Sequence, residues 1–183
     1  MAKKIRTVAV YCGHQFGNNP EFNRAAIMLG TQLAKHNIQM VFGGGNVGLM
    51  GAVSTAALRA GADVVGVSTD EVIALQEPAH PDIDVEIVDG VNERKQRMFE
   101  LSDAFIIMPG GIGTLNELTD IMTMQQIGET QKPLFFLNID NFWEPFGALV
   151  KHMIDCGFIP TLEYYNMHNA NSVDELIKLV LNN

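Results

Sequence analysis

The stretch Pro109-Gly110-Gly111-Ile112-Gly113-Thr114-Leu115-Asn116-Glu117 sets a possible anion cradle beside a carboxylate. It follows the apolar run Ala104 to Met108, so a buried strand is expected to end there and a helix to begin within a few residues. Glycines at 110, 111 and 113 let the backbone turn tightly, and amide N–H groups at a helix N-terminus attract a phosphate. Glu117 then stands one turn further on. A pure phosphate loop has no use for an acid there, whereas an enzyme acting on the sugar of a nucleotide does. The same residues also fit a plain helix start, because Thr114-x-x-Glu117 ahead of Leu118, Ile121 and Met122 matches a capping box. On this stretch alone both readings stand.

A second glycine run, Gly43-Gly44-Gly45-Asn46-Val47-Gly48, satisfies G-x-G-x-x-G between a strand and a helix, with Asp70 near the end of the next strand. That is the pattern of a dinucleotide site. Against it, the chain has no room for a separate substrate domain, and the glycines at 110–113 would go unused. No G-x-x-x-x-G-K-[ST] is present, which argues against a P-loop triphosphatase. In Asn92-Glu93-Arg94-Lys95-Gln96-Arg97-Met98, Glu93 and Arg97 have the i,i+4 spacing of a solvated pair. Arg94 instead shares a face with Met98 and Leu101. A cation there either snorkels or reaches a buried anion. Lys95 falls beside Phe99. The histidines, at 14, 36, 80, 152 and 168, show no metal-ligand spacing, so no metal is expected. His14 alone stands out, in the loop Gly13 to Asn19 at a strand's carboxyl end. Met122 and Met124 read first as core packing.

These residues are carried by an alternation of short β-branched runs and longer helix-period segments. Strands are expected at Val8–Tyr11, Met40–Phe42, Val64–Ser68, Val85–Val88, Ala104–Met108 and Pro133–Asn138. Helices are expected at about Pro20–His36, Gly48–Ala60, Asn92–Ser102, Thr114–Gln126, Trp143–Cys156 and Ser172–Leu181, the last opened by the capping box Ser172-x-x-Glu175. The order predicts an α/β fold, a Rossmann-like, doubly wound, mostly parallel sheet with helices on both faces. No linker or repeat divides the chain, so residues 1–183 read as one nucleotide-binding domain. The longest irregular stretch, Asp70 to Asp84, reads as surface padding or a flap. In such sheets ligands bind beyond the carboxyl ends of the strands, where Gly13, Gly43 and Gly110 all fall.

Composition narrows the ligand. The 183 residues are 47% apolar and 18% charged, and the net charge of −9 disfavours a nucleic-acid polymer or an anionic membrane as partner. A small anion held locally is the alternative. Two cysteines, Cys12 and Cys156, supply no disulfide framework and fit a reducing cytoplasm as small core residues. Met1 to Arg6 is basic but lacks the apolar region of a signal peptide, and no run approaches a membrane span.

Pro109-Gly-Gly-x-Gly-Thr-x-x-Glu117, preceded by Glu93-Arg94-Lys95 and by Gly43-Gly-Gly-x-x-Gly-Leu-Met-Gly51, resembles the Lonely Guy family. Tyr11-Cys12-Gly13 and Phe16-Gly17-Asn18 extend the likeness, which runs from about Val8 to the final helix. Those proteins are cytokinin riboside 5′-monophosphate phosphoribohydrolases. The resemblance implies a Rossmann-like homodimer that hydrolyses the N-glycosidic bond of a nucleoside 5′-monophosphate to free base and ribose 5-phosphate, without a cofactor. It implies Arg94 and Glu117 as the catalytic pair. Gly110, Gly111, Gly113 and Thr114 match the phosphate loop, and Gly13, His14, Gly43, Gly44, Gly45, Asn46, Lys95, Met108, Pro109 and Asp120 complete the expected substrate contacts. The chemistry fits, since a carboxylate stabilises the cationic sugar or orients water, and a fixed guanidinium holds phosphate or ribose. The donor for the departing base is not identified.

His14 and Asn46 stand where the family usually has serine, Asn116 replaces a frequent acid, Met124 a common tryptophan, and Asp120 a common glutamate. An N6-modified adenosine monophosphate and an ordinary purine or pyrimidine nucleotide therefore both fit. Similar motifs have been labelled lysine decarboxylases, which would require a Schiff-base lysine, and only Lys95 lies nearby. A carrier of a phosphorylated cofactor such as molybdopterin would need the loop but not Arg94 and Glu117.

Overall fold

Alternate residues of β1 (Thr7–Tyr11) face opposite sides of a sheet, and both sides are apolar, as expected of a parallel strand covered on both faces. The computed structural model describes residues 4–183; Met1–Lys3, where the basic N-terminal stretch begins, lie outside the described residues. The strands are β1, β2 (Gln39–Phe42), β3 (Val64–Ser68), β4 (Asp84–Ile87), β5 (Ala104–Ile107), β6 (Leu134–Leu137) and β7 (Met167–Ala170). They form one sheet in the order β4-β3-β2-β1-β5-β6-β7, and every pairing is parallel.

The winding reverses at β1. The chain runs outward through β2, β3 and β4, then returns to place β5 on the other side of β1, with Val8 to Tyr11 paired to Ala104 to Ile107. Neighbouring strands whose connections leave in opposite directions open a crevice at their carboxyl ends. Gly13 follows β1 and Gly110 follows β5, and the Gly13 N–H donates to the Pro109 carbonyl at 3.0 Å.

One face is covered by α1 (Pro20–Lys35), α2 (Gly48–Arg59) and α7 (Val173–Asn182), whose Leu29, Val53 and Leu176 pack on Val8 and Val10. The other is covered by α4 (Gly90–Leu101), α5 (Ile112–Gln126) and α6 (Glu144–Asp155), whose Met98, Leu118 and Val150 pack with Ala9, Tyr11 and Phe105. Caps set two of these helices. Asn19 accepts from the Glu21 N–H with Pro20 in the first turn of α1, and Ser172 accepts from the Glu175 N–H as its capping box predicts.

Three expectations change. The stretch after Asp70 is not all loop, because α3 (Asp70–Leu75) forms on a Thr69 cap. The strand β7 was not anticipated; Met-His-Asn-Ala carries no β-branched residue and lies at the sheet edge, where pairing rather than apolar pattern makes a strand. Cys156 is exposed rather than in the core, and Cys12 is half-buried.

The helices α1 and α2 meet at Gly30, where a Cβ would stand 2.3 Å from the Val53 carbonyl oxygen. Gly30→Ala is therefore expected to lower stability by about 1–3 kcal/mol through overpacking, despite the better helix propensity of alanine. Urea unfolding should show a lower midpoint with an unchanged slope. An unchanged or higher midpoint would mean that the helices separate at no cost.

Candidate active site

Helix α5 begins at Ile112, two residues before the expected start, with Gly111 as its cap residue and no side-chain cap. Thr114 is thus inside the first turn, and the Thr114-x-x-Glu117 capping box does not form. The first amides of a helix have no intrahelical acceptor, so those of Ile112 and Gly113 open toward the crevice at the positive end of the helix. Gly110 is required by close approach, since a Cβ there would meet the Thr114 hydroxyl at 2.2 Å and the Gly13 nitrogen at 3.0 Å.

Freed from capping, the Glu117 side chain receives Arg94. The Arg94 Nη1 donates to Glu117 Oε1 at 3.2 Å, its Nε to the Val67 carbonyl at 2.9 Å and its Nη2 to the Gly43 carbonyl at 3.4 Å. The two side chains are only 11% and 12% exposed, so Arg94 does not snorkel. Three of five guanidinium N–H groups are engaged, and two remain for a ligand. Burial pushes the Glu117 carboxyl above its ordinary value, while the Arg94 and Lys95 charges pull it down.

The glycine run after β2 is the seat of this pair. A Cβ on Gly43 would stand 2.1 Å from Arg94 Nη2. Gly44, at φ +78°, packs on Ser68 and Val85, and Gly45 lies against the Gln76 carboxamide. The strap Gln76–Pro78 crosses here, bridging Gly45 to Pro78, and the Asn46 N–H is taken by the Glu77 carbonyl. Asp70 starts α3 and does not line the crevice, so the dinucleotide pattern is matched in letters and not in geometry.

A cavity of about 260 Å³ joins these parts. Gly13, His14, Gly43, Arg94, Gly111, Gly113, Thr114 and Glu117 all line it. A second cavity, about 330 Å³, lies between α4 and α5 and includes Lys95, Phe99, Glu117, Asp120, Ile121, Met124 and Ile127. There Lys95 is paired with Asp120 and donates to Asn116 at 3.1 Å. Pro109 and Gly110 line a third cavity, about 170 Å³, with Gly13, His14, Gly111, Phe16 and Phe142. Met108 is fully buried in the core; Gly44, Gly45 and Asn46 support the strap, and none of the four lines either of the first two cavities.

The expected Glu93–Arg97 pair is absent among the described residues. Glu93 accepts from the Asp89 N–H at the start of α4, and Arg97 grips Glu86 of β4 at 2.9 and 3.0 Å. Sequence reasoning missed Gln76, whose Oε1 is buried without a partner and whose side chain lines the first cavity with Val72. No sequence signal marks it, because the strap is placed by pairing with Gly45. Among the described residues no group of three His, Cys, Asp or Glu could hold a metal ion.

A family model described as "Possible lysine decarboxylase" matches residues 50–180. The chain is similar to a cytokinin riboside 5′-monophosphate phosphoribohydrolase of Oryza sativa subsp. japonica, 39% identical over 156 residues, which are 85% of this chain and 64% of that protein. It thus spans just under two thirds of the rice relative. A protein of the same description from Arabidopsis thaliana is 35% identical over 175 residues, 96% of this chain and 82% of that one. Among solved structures, the molybdenum cofactor binding protein of Rippkaea orientalis superposes with a TM-score of 0.70 at 24% identity, covering 98% of this chain and 97% of that chain. The Moco carrier protein of Chlamydomonas reinhardtii does so at 0.68 and 22%, covering 97% and 96%. At those identities the likeness is one of fold.

The electrostatics of the pair can be tested directly. In a carboxyl NMR titration Glu117 should ionise above the ordinary glutamate range. Arg94→Met removes the strongest downward pull, so the value should rise further. Because the folded-state value is raised, the stability this carboxyl contributes is present below its unfolded value and is lost as pH rises through the folded one. A fall on Arg94→Met would mean that the guanidinium does not act on the carboxylate.

Proposed function

The chain belongs to the family of cytokinin riboside 5′-monophosphate phosphoribohydrolases, and from that premise we infer that it is a hydrolase cleaving the N-glycosidic bond of a nucleoside 5′-monophosphate to free base and ribose 5-phosphate. The observation that carries this reading is the buried Arg94–Glu117 pair, set between the amides of the 110–114 loop and the cavity between α4 and α5.

In this reading the 5′-phosphate lies on the loop amides of Gly111, Ile112 and Gly113, with Thr114 and His14 beside it. The ribose crosses Glu117. Breaking the bond at C1′ builds positive charge on the sugar, which the carboxylate stabilises or answers by orienting water. Arg94 fixes that carboxylate from one side and offers its two remaining N–H groups to the ribose or phosphate. The base enters the second cavity, against Phe99, Ile121 and Met124. An N6-modified adenine is one candidate base, and the apolar rim at Met124 and Ile127 supports an apolar substituent.

The other readings have less support. The decarboxylase description calls for a free Schiff-base lysine, and Lys95 is held by Asp120 and Asn116. A cofactor carrier shares the fold, but it has no use for a buried carboxylate one turn beyond a phosphate loop. We further propose that residues 1–183 act as one nucleotide-binding domain, in a homodimer in the cytoplasm. The exposed apolar side chains Val91, Ile112 and Ile127 around the two cavities support pairing there. No helix among the described residues is long and apolar enough to cross a membrane.

The test is a panel of nucleoside monophosphates, nucleosides and triphosphates, with ribose 5-phosphate and free base assayed. Monophosphates should be cleaved and nucleosides spared, because only a phosphate collects the binding energy of the loop. Equal turnover of adenosine and its monophosphate would refute this use of the loop. Binding without release of either product would indicate a carrier.

Two substitutions test the pair. Glu117→Gln keeps an acceptor for Arg94 and leaves the loop untouched, so it should retain ligand binding and melt within a few degrees of wild type. Hydrolysis should fall by about a hundredfold or more. Arg94→Lys should also lose most activity, since an ammonium cannot reproduce the planar fork. Near wild-type rates in both variants would make the pair structural only.

A further inference from the structure

Tyr11 ends β1 on the face that packs against α4 and α5. Its ring is stacked on Phe105, with centroids 5.8 Å apart and planes 9° from parallel, and Phe105 is stacked in turn on Phe99. The residue is 2% exposed, so its position is held by packing. Yet its hydroxyl makes no hydrogen bond to any described residue. A phenol held in such a place without a protein partner calls for an explanation, because its hydroxyl is not sealed in the core but opens onto the cavities that Tyr11 lines.

Its location supplies one. Among the described residues, Tyr11 and Glu117 alone line both the glycine-loop cavity and the cavity between α4 and α5. With phosphate in the first and base in the second, the bond to be cleaved passes between these two side chains. Glu117 is an acceptor when ionised, so it answers the positive charge on the sugar. The departing base gains negative charge and needs a donor instead. Lys95 is engaged by Asp120 and Asn116, whereas the Tyr11 hydroxyl is free. Burial, with Glu117 nearby, also pushes the phenol well above its ordinary value, so it stays protonated and able to donate.

We propose that Tyr11 is a further catalytic residue of this site, its hydroxyl donating a hydrogen bond to the base as the C1′–N bond breaks. The proposal rests on the hydrolase reading above. In the step, the electron pair of the C1′–N bond passes to the base and the oxygen of water bonds to C1′. One proton of that water moves to the Glu117 carboxylate and then to the departed base. Tyr11 keeps its proton throughout, and the sum is nucleotide plus water giving ribose 5-phosphate plus base.

The experiment compares Tyr11→Phe with wild type on two substrates. One is adenosine 5′-monophosphate, or whichever monophosphate of the panel is cleaved fastest. The other is p-nitrophenyl ribofuranoside 5-phosphate, whose leaving group departs as a stable anion and needs no donor. The substitution removes one oxygen and keeps the ring stack, and thermal melting checks that the fold is retained. Expected is a fall in kcat of about tenfold to a hundredfold on the nucleotide, the scale of a hydrogen bond to developing charge. The nitrophenyl substrate should change less than about twofold, with KM for both near wild type. An unchanged nucleotide kcat overturns the proposal, and so does an equal loss on both substrates, which would make Tyr11 a shaper of the site. A wild-type protein that cleaves no nucleotide of the panel refutes the hydrolase reading itself, an outcome distinct from an active wild type with an equally active variant.

Discussion

Burying a guanidinium against a carboxylate is costly unless the remaining donors are met, because each charge gives up its hydration. Here the cost shapes the ends of three strands. Arg94 leaves α4, crosses the end of β3 to take the Val67 carbonyl, rests on Gly43 after β2, and reaches Glu117 in the helix after β5. Gly43 has no side chain because the guanidinium occupies that space, and the helix after β5 starts early enough that Glu117 is not spent on capping. The strap at Gln76 and the packing of Gly44 on Ser68 and Val85 close the surroundings of the pair.

The same pair divides the labour of the crevice. On one side lie backbone amides, which suit an anion without adding a charged side chain. On the other lie Phe99, Ile121 and Met124, which suit a planar apolar group. With a net charge of −9, the proposed phosphate would be held by a local attraction, from a helix end and the spare N–H groups of one arginine. Amide dipoles and a fixed cation would then replace a basic surface.

Much of this was legible in the sequence, for a physical reason. Buried parallel strands are continuous apolar runs and the helices between them are periodic, so the alternation and the doubly wound class follow from local pattern, whereas the reversal at β1 is set by its pairing with β5. Arg94 was marked by standing on the face of Met98, and Glu117 by following three glycines. What could not be read depended on contacts between distant segments. The roles of Gly43, Gly44 and Gly45 are set by Arg94, Val85 and Gln76, and a string of glycines does not reveal which neighbour excludes the side chain. β7 and the strap are likewise products of pairing, and Gln76 carries no signature before the strap is in place. The early start of α5 turned on one detail: Gly111 can be the cap residue without a side chain.

The central pairing of the sheet has a consequence for how the molecule comes to exist. Val8 lies beside Ala104, so β1 must wait for more than half the chain before it meets β5, and Gly13 meets Pro109 only then. Contacts so distant in sequence carry a loop-closure cost that local helices do not, and they form late. No half of the chain can assemble the crevice alone, because Gly13 and Gly43 come from the first part and Arg94, Gly111 and Glu117 from the second. During synthesis the first four strands would leave the β1 edge open until β5 emerges. For that interval the edge that later holds the site is the most exposed surface for mispairing with another chain.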